Sequence, residues 1–314
     1  MIKGELRSSA GCRAESISGG SQVAKQDEPR KLFEVLQQEL KLRNYSPKTF
    51  KAYRSHLRAF VAYFAPKHPK DLSEADVRKY LIHLIDEKHL SLGTMGQVLS
   101  AIKFLYVELY KEPIVIAGLP RPLREHKLPV VLSLDEVKKV FDALGNVKHR
   151  IMLMLVYSAG LRVSEVVRLK PSDIDSDRMT IHIRGAKGKK DRYTILSEVV
   201  LEGLRHYWKL YHPKEWLFEG QDKGKSYSIR SAERVFEKAV VNAGTNKKVS
   251  IHSLRHAFAT HLLEQGTDIK FIQELLGHRS VRTTEIYLHV SKKEIGQIRS
   301  PIESIMRSKG AKTK

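Results

Sequence analysis

The chain has 314 residues, 41% of them hydrophobic, which is more than one hydrophobic core ordinarily serves, so two domains are expected. Its longest apolar run, residues 151–157, is too short to span a bilayer. Lys and Arg number 56 against 35 Asp and Glu, a net charge of +21 at pH 7, which points to a polyanionic partner, nucleic acid first. No strongly amphipathic basic helix with an aromatic face favours a membrane surface instead. Residues 1–30 lack the apolar stretch of a secretory signal, and the single cysteine, Cys12, cannot form an internal disulfide. A reducing compartment follows as the expectation: the cytoplasm, on the nucleoid.

Residues 1–28 are rich in Ser, Gly, Ala and charge without an apolar period, and are expected to be a disordered tail. From Lys31 a helical stripe begins, with Leu32, Val35, Leu36 and Leu40 on one face. A second helix opens with Ser46 as N-cap and Pro47 at its first position, and Phe50, Tyr53, Leu57, Phe60 and Val61 recur along it. A third starts at Ser73 and runs to about Glu87. A fourth, capped by Ser91 or Thr94, runs to about Tyr110. Four helices without strands make an all-α domain over residues 29–112. Lys48, Lys51, Arg54 and Arg58 share one side of the second helix, as either a phosphate-contacting face or an ordinary solvated one.

Residues 113–130 contain Pro113, Pro120, Pro122 and Pro129, a density that interrupts helices and marks an extended linker. Arg121, Arg124 and Lys127 make it basic, suited to lying along a nucleic-acid backbone.

A second domain is expected over residues 131–300, followed by a basic tail over 301–314. It opens with the capping box of Ser133 and Glu136. An apolar helix over residues 148–158 stops at Gly160, and a short one follows Arg162. The period then shifts to two: Met179, Ile181 and Ile183 alternate, and the alternation resumes at Tyr193 and Ile195. The lysine-rich turn between them makes a hairpin. The rest is helical, with neither metal-type cysteine spacing nor a phosphate-binding Gly loop.

Several polar residues need an account beyond packing. In SIHSLRHAFATHLLEQG, Leu254, Ala257, Phe258 and Leu262 form the expected buried stripe, while His252 and Arg255 project together near the helix N-terminus. That pair suits an anion or is a solvated charge pair. His252 and His256 have the spacing of zinc-binding helices, but the intervening Glu and a third ligand are missing, so no metal is expected. Arg162 follows Gly160 at a tight junction, with Glu165 placed to orient it. His278 sits just past a helix stopped by Gly277. Ser280 can cap a short helix that presents Tyr287. Each of these, taken singly, is as readily structural as functional.

Their order is another matter. Arg162, Lys187 in the hairpin turn, His252 and Arg255 in HSLRH, His278 in LGH, and Tyr287 fill every position of an R…K…H-x-x-R…H/W…Y signature. Over residues 30–300 the chain resembles the tyrosine recombinases of the phage integrase family, which include the Xer-type chromosome-resolving enzymes. The resemblance implies a mainly α fold: a four-helix, SAM-like core-binding domain, then a mostly helical catalytic domain with a small β-sheet.

It also implies roles. Arg162 and Arg255 clamp the scissile phosphate, His278 adds a hydrogen bond, and His252 is general acid/base. Lys187, with Lys189 and Lys190 as rivals, protonates the departing 5′ oxygen. Glu165 supports the first arginine, and Tyr287 forms a 3′-phosphotyrosyl bond. No metal, cofactor or ATP is implied. The implied partners are double-stranded DNA at a specific recombination site and a homotetramer built on it, passing through a Holliday junction. In such enzymes the C-terminal segment docks on a neighbouring subunit. Ile295, Ile298, Ile302 and Ile305 could form that stripe or fold back on their own domain. The alternatives are DNA relaxation of the type IB topoisomerase kind and a catalytically silent DNA-binding regulator.

Overall fold

The computed structural model describes residues 20–120, 129–185, 191–222, 224–278 and 280–288. The chain divides into two compact units, between His126 and Lys127.

In the first unit, α1 (Gly20–Leu42) begins well before the expected start, so residues 20–28 are helical rather than a disordered tail. Ala, Gln, Lys and Glu there are good helix formers, a signal that a search for apolar periodicity passes over. Leu36 and Leu40 are buried and Phe33 packs on the core, whereas Val35, assigned to the buried stripe, stays 45% exposed. Helix α2 (Pro47–Phe64) starts where its sequence demands: the Ser46 hydroxyl accepts from the Thr49 N–H (3.1 Å), with Pro47 following. Helix α3 (Glu74–Asp86) carries a capping box of Ser73 and Asp76, and Ser91 caps α4 (Leu92–Lys103).

Helix α4 continues as a π-helical segment, Phe104–Leu109, which turns Phe104, Leu105 and Tyr106 into the core. The Tyr106 hydroxyl donates to the Pro69 carbonyl (2.6 Å). The rest of the core includes Leu57, Phe60, Val77, Tyr80, Leu99 and Ile102. The start of the expected linker belongs to this unit: Pro113–Ile116 forms a 3-10 turn, and Ile116 and Leu119 are buried. The preceding helix has already ended at Leu109, and the apolar Ile116 and Leu119 after Pro113 still find the core. Arg121, Arg124 and Lys127 lie outside the described residues.

The second unit has seven helices among the described residues: α5 (Leu134–Asp142), α6 (Val147–Ser158), α7 (Val163–Val166), α8 (Glu198–Tyr211), α9 (Ile229–Asn242), α10 (Ile251–Glu264) and α11 (Ile269–Leu276). The sheet is β1 (Ile174–Asp175), β2 (Thr180–Ile183) and β3 (Arg192–Ile195), antiparallel in that order. The short β1 has too few residues to show a period. Ile181 pairs with Thr194 and Ile183 with Arg192, so these four share the inner face. The inward residues of β3 are therefore Arg192 and Thr194. Tyr193 and Ile195, which carry the apolar alternation in the sequence, are 62% and 41% exposed.

Helix α10 is also buried differently from its expected stripe. Ile251, Leu254, Arg255, Ala257, Phe258, Ala259, Thr260, His261 and Leu263 are all buried, while Leu262 is only partly so. A helix buried on nearly every side is a central one, and α10 packs against α6, α9, α11 and the 3-10 turn Glu285–Tyr287.

Candidate active site

Three segments converge around the N-terminal half of α10. The first is the junction from α6 to α7. Gly160 there has φ +60°, and a Cβ would lie 2.5 Å from the Phe258 ring, so only glycine fits. The Gly160 carbonyl accepts a hydrogen bond from Arg255 Nη1. Two residues on, Arg162 N-caps α7. Its backbone N–H donates to Glu165 Oε2 (2.8 Å) and its Nη1 to Oε1 (2.7 Å).

Glu165 is the hub of this cluster. Arg192 on β3 grips it with both terminal nitrogens (2.9 and 2.8 Å) and donates from Nε to the Leu275 carbonyl (2.9 Å). Arg255 Nη1 lies 3.9 Å from Oε2. Burial alone raises the Glu165 carboxyl, but the hydrogen bonds and charge of Arg192, with Arg162, outweigh it and hold the group at about 2. One ionised carboxylate faces three guanidiniums, which leaves an excess of positive charge at a mostly buried place. Burial, then repulsion from Arg162, pushes Arg255 down to about 9, still charged at neutral pH.

The second segment is the end of α11. Gly277, at φ +63°, stops the helix, and a Cβ there would meet the Arg192 side chain at 2.8 Å. His278 follows. Its Nε2 is 3.2 Å from Arg255 Nη2, and its Nδ1 is 2.9 Å from the Thr284 hydroxyl. A guanidinium can only donate, so Nε2 accepts and Nδ1–H donates to the threonine. Burial, then Arg255 and Arg162, holds His278 at about 4, which agrees with a neutral ring.

The third segment holds Tyr287. The expected capped helix is instead two 3-10 turns, Val281–Thr283 and Glu285–Tyr287, and Ser280 makes no side-chain cap bond. Tyr287 is 2% exposed, packed with Phe258, Ala259, Leu263, Ile272 and Leu276. Its hydroxyl is 3.0 Å from His256 Nδ1. Burial raises its pKa, and the charges of Arg255 and Arg162 work against that rise. His252 is exposed, but what burial it has, and then the charge of Arg255, lower its pKa.

Arg162, Glu165, His252, Arg255, His278 and Tyr287 thus gather in one place. Lys187 lies outside the described residues, as do His289 and the Ile295–Ile305 stripe. The stem beneath the lysine turn is held where Gly185 N–H and His182 Nε2 meet Asp191 (2.8 and 3.3 Å). Among the described residues no group of three or more His, Cys, Asp or Glu could hold a metal ion. No described helix is long and apolar enough to cross a membrane. Lys48, Lys51, Arg54 and Arg58 are exposed on α2, with Arg58 6.0 Å from the Phe33 ring centre.

Sequence reading missed Arg192, Thr284 and the role of His256 as partner of Tyr287. Arg192 was within reach: reversing the phase of β3 puts an arginine inside, and a buried arginine demands a carboxylate.

The chain belongs to the phage integrase family, whose description matches residues 130–294, while the N-terminal SAM-like domain of phage integrases matches residues 32–116. It is a tyrosine recombinase of the Xer-like type, an enzyme of site-specific recombination that cleaves and rejoins DNA. A putative integrase/recombinase of Sinorhizobium fredii is 40% identical over 87% of this chain and 88% of its own length. The tyrosine recombinase XerD of Staphylococcus aureus is 33% identical over 80% of this chain and 90% of its own. Among solved structures, the XerH recombinase bound to a palindromic difH substrate superimposes with a TM-score of 0.71. It is 25% identical and covers 88% of this chain and 85% of its own.

Proposed function

We propose that this chain breaks one DNA strand by attack of Tyr287 on a phosphodiester held by Arg162 and Arg255. The Tyr287 Oη–P bond forms as the P–O5′ bond breaks, leaving a 3′-phosphotyrosyl ester. Lys187 delivers a proton to the departing 5′ oxygen. The ester conserves the bond energy, so the 5′-hydroxyl of a second strand can displace Tyr287 and reseal the break without ATP.

The observation that carries this reading is the surplus of guanidinium charge around Glu165 beside a buried tyrosine. The transition state gathers negative charge on the equatorial phosphate oxygens, and fixed cations in a place poor in water stabilise it. Glu165 fixes Arg162 in orientation and limits repulsion among the arginines. His278 accepts from Arg255 at rest, and a bound phosphate oxygen would favour the form with a proton on Nε2, which can donate to it. His252, which is exposed, serves as general acid/base.

The partner in this reading is double-stranded DNA at a specific site, in the cytoplasm and on the nucleoid. The working assembly is a homotetramer that passes through a Holliday junction. XerH, at 25% identity, was solved with its difH substrate after cleavage. Lys48, Lys51, Arg54 and Arg58, with Arg121, Arg124 and Lys127, contact the backbone and set affinity more than specificity.

The test is a nicked duplex that traps the cleaved state, selected from a randomised pool by covalent capture on the wild-type chain. The wild type should form the adduct, with or without chelator, and Tyr287→Phe should not. Recombination between two sites, rather than relaxation of supercoils alone, separates this reading from a topoisomerase.

A further inference from the structure

We propose that His256 is the proton acceptor for Tyr287, taking the phenolic proton on Nδ1 as the tyrosine attacks. The inference rests on Tyr287 being the nucleophile, and it moves the removal of the phenolic proton from His252 to His256, leaving His252 to hydrogen-bond the phosphate beside Arg255.

The geometry is specific. Tyr287 Oη lies 3.0 Å from His256 Nδ1, within the range at which a base must stand from the proton it removes. The rings are tilted by 53° with centroids 5.7 Å apart, so they do not stack. Among the described residues, the hydrogen bond of this hydroxyl is to His256, not to His252. The phenol is buried in an apolar cluster, where a hydroxyl left without an acceptor would be costly.

His256 is held in its neutral form, the form that can accept. Burial, then the charges of His252 and Arg255, moves its pKa downward. The half-buried ring also lines an open groove with Val130, Lys248, Ser250, His252 and Ser253. The imidazole therefore stands between a buried hydroxyl and solvent, as a proton relay requires.

The step balances. The Oη–H proton passes to Nδ1 while Oη bonds to phosphorus. The P–O5′ bond breaks, and the 5′ oxygen takes its proton from a separate acid, Lys187. His256 then gives its proton to water in the groove, or returns it to Tyr287 when a 5′-hydroxyl reverses the step.

The experiment measures the rate of adduct formation by the full chain on the captured nicked duplex, and on the same duplex with sulfur in place of the bridging 5′ oxygen. A thiolate leaves without protonation. His256→Asn keeps a hydrogen-bonding oxygen near the position of Nδ1 but cannot take a proton. It should lose on the order of 10²-fold or more in rate on both duplexes, whereas Lys187→Ala should recover on the sulfur duplex. Placing 3,5-difluorotyrosine at position 287, a phenol that ionises more readily, should restore much of the rate in His256→Asn, a rescue that a purely structural defect would not show. The proposal is overturned if His256→Asn cleaves within about threefold of wild type, where general-base removal predicts far more. It is overturned too if the sulfur duplex rescues that variant, or if the fluorinated tyrosine does not. An adduct that persists in Tyr287→Phe would instead overturn the assignment of the nucleophile, and this inference with it.

Discussion

The two units of this chain treat charge in opposite ways. In the first, the buried residues are apolar, and an ion pair such as Arg78–Glu74 (2.9 Å) sits on the surface with both side chains over a third exposed. In the second, Glu165, Arg192 and Arg255 are brought inside, each side chain less than a tenth exposed. A fold tolerates buried charge only when every member is partnered. Here the partnering is incomplete in one respect, because the cations outnumber the carboxylate. That excess is what a phosphate would complete, and nothing like it is found among the described residues of the first unit.

The contrast predicts unequal costs. Arg192→Met should lower the stability of the second unit by about 3–5 kcal/mol, because Glu165 loses its two-pronged buried partner and the Leu275 carbonyl loses its donor. Both tryptophans, Trp208 and Trp216, lie in that unit, so their fluorescence during urea unfolding reads the loss directly. Arg78→Ala in the first unit should cost under about 1 kcal/mol by circular dichroism. Equal costs would erase the distinction.

Acid should sharpen it. Glu165, at about 2 in the fold against an ordinary 4.5, contributes stability that is fully present above pH 4.5 and is lost as the pH falls toward 2. Asp76 in the first unit is also lowered to about 2, by the Ser73 backbone N–H first and then by Lys67, but at the surface. Titration followed by NMR should show added salt raising the Asp76 value part-way while leaving Glu165 in place, because screening reaches exposed pairs and not buried ones.

Much of this was legible in the sequence, and for identifiable reasons. Ser46, Ser73, Ser91 and Ser133 cap the helices assigned to them, because capping is local chemistry. Gly160 and Gly277 stop their helices where expected. Arg162, Glu165, Arg255, His278 and Tyr287 could be picked out as residues, but their convergence depends on contacts distant in sequence, and it was their order that suggested it. What stayed hidden depended on tertiary context. The phase of β3 is one case, because Tyr193 and Ile195 are the apolar pair, while the core uses Arg192 and Thr194. His256 was weighed as half of a metal site, since no periodicity shows that its partner is Tyr287.

Glycine replacement gives the next largest effect. Gly160→Ala forces a methyl group to within 2.5 Å of the Phe258 ring at a left-handed backbone position, and should cost at least about 2 kcal/mol. Gly93→Ala in α4 meets nothing closer than 3.9 Å and should gain about 0.5–1 kcal/mol. Thermal unfolding of the two variants should move in opposite directions. The smallest effects should be alike in both units: Ser73→Ala and Ser133→Ala each remove one capping box and should each cost about 1 kcal/mol.

The proposed mechanism makes the buried tyrosine beside the arginine cluster the group that joins to DNA. Mass spectrometry of the peptide that retains the DNA phosphate, after proteolysis of the trapped wild-type adduct, tests it most directly. The phosphodiester is predicted on the oxygen of Tyr287. A nucleotide remnant on any other residue would contradict the account.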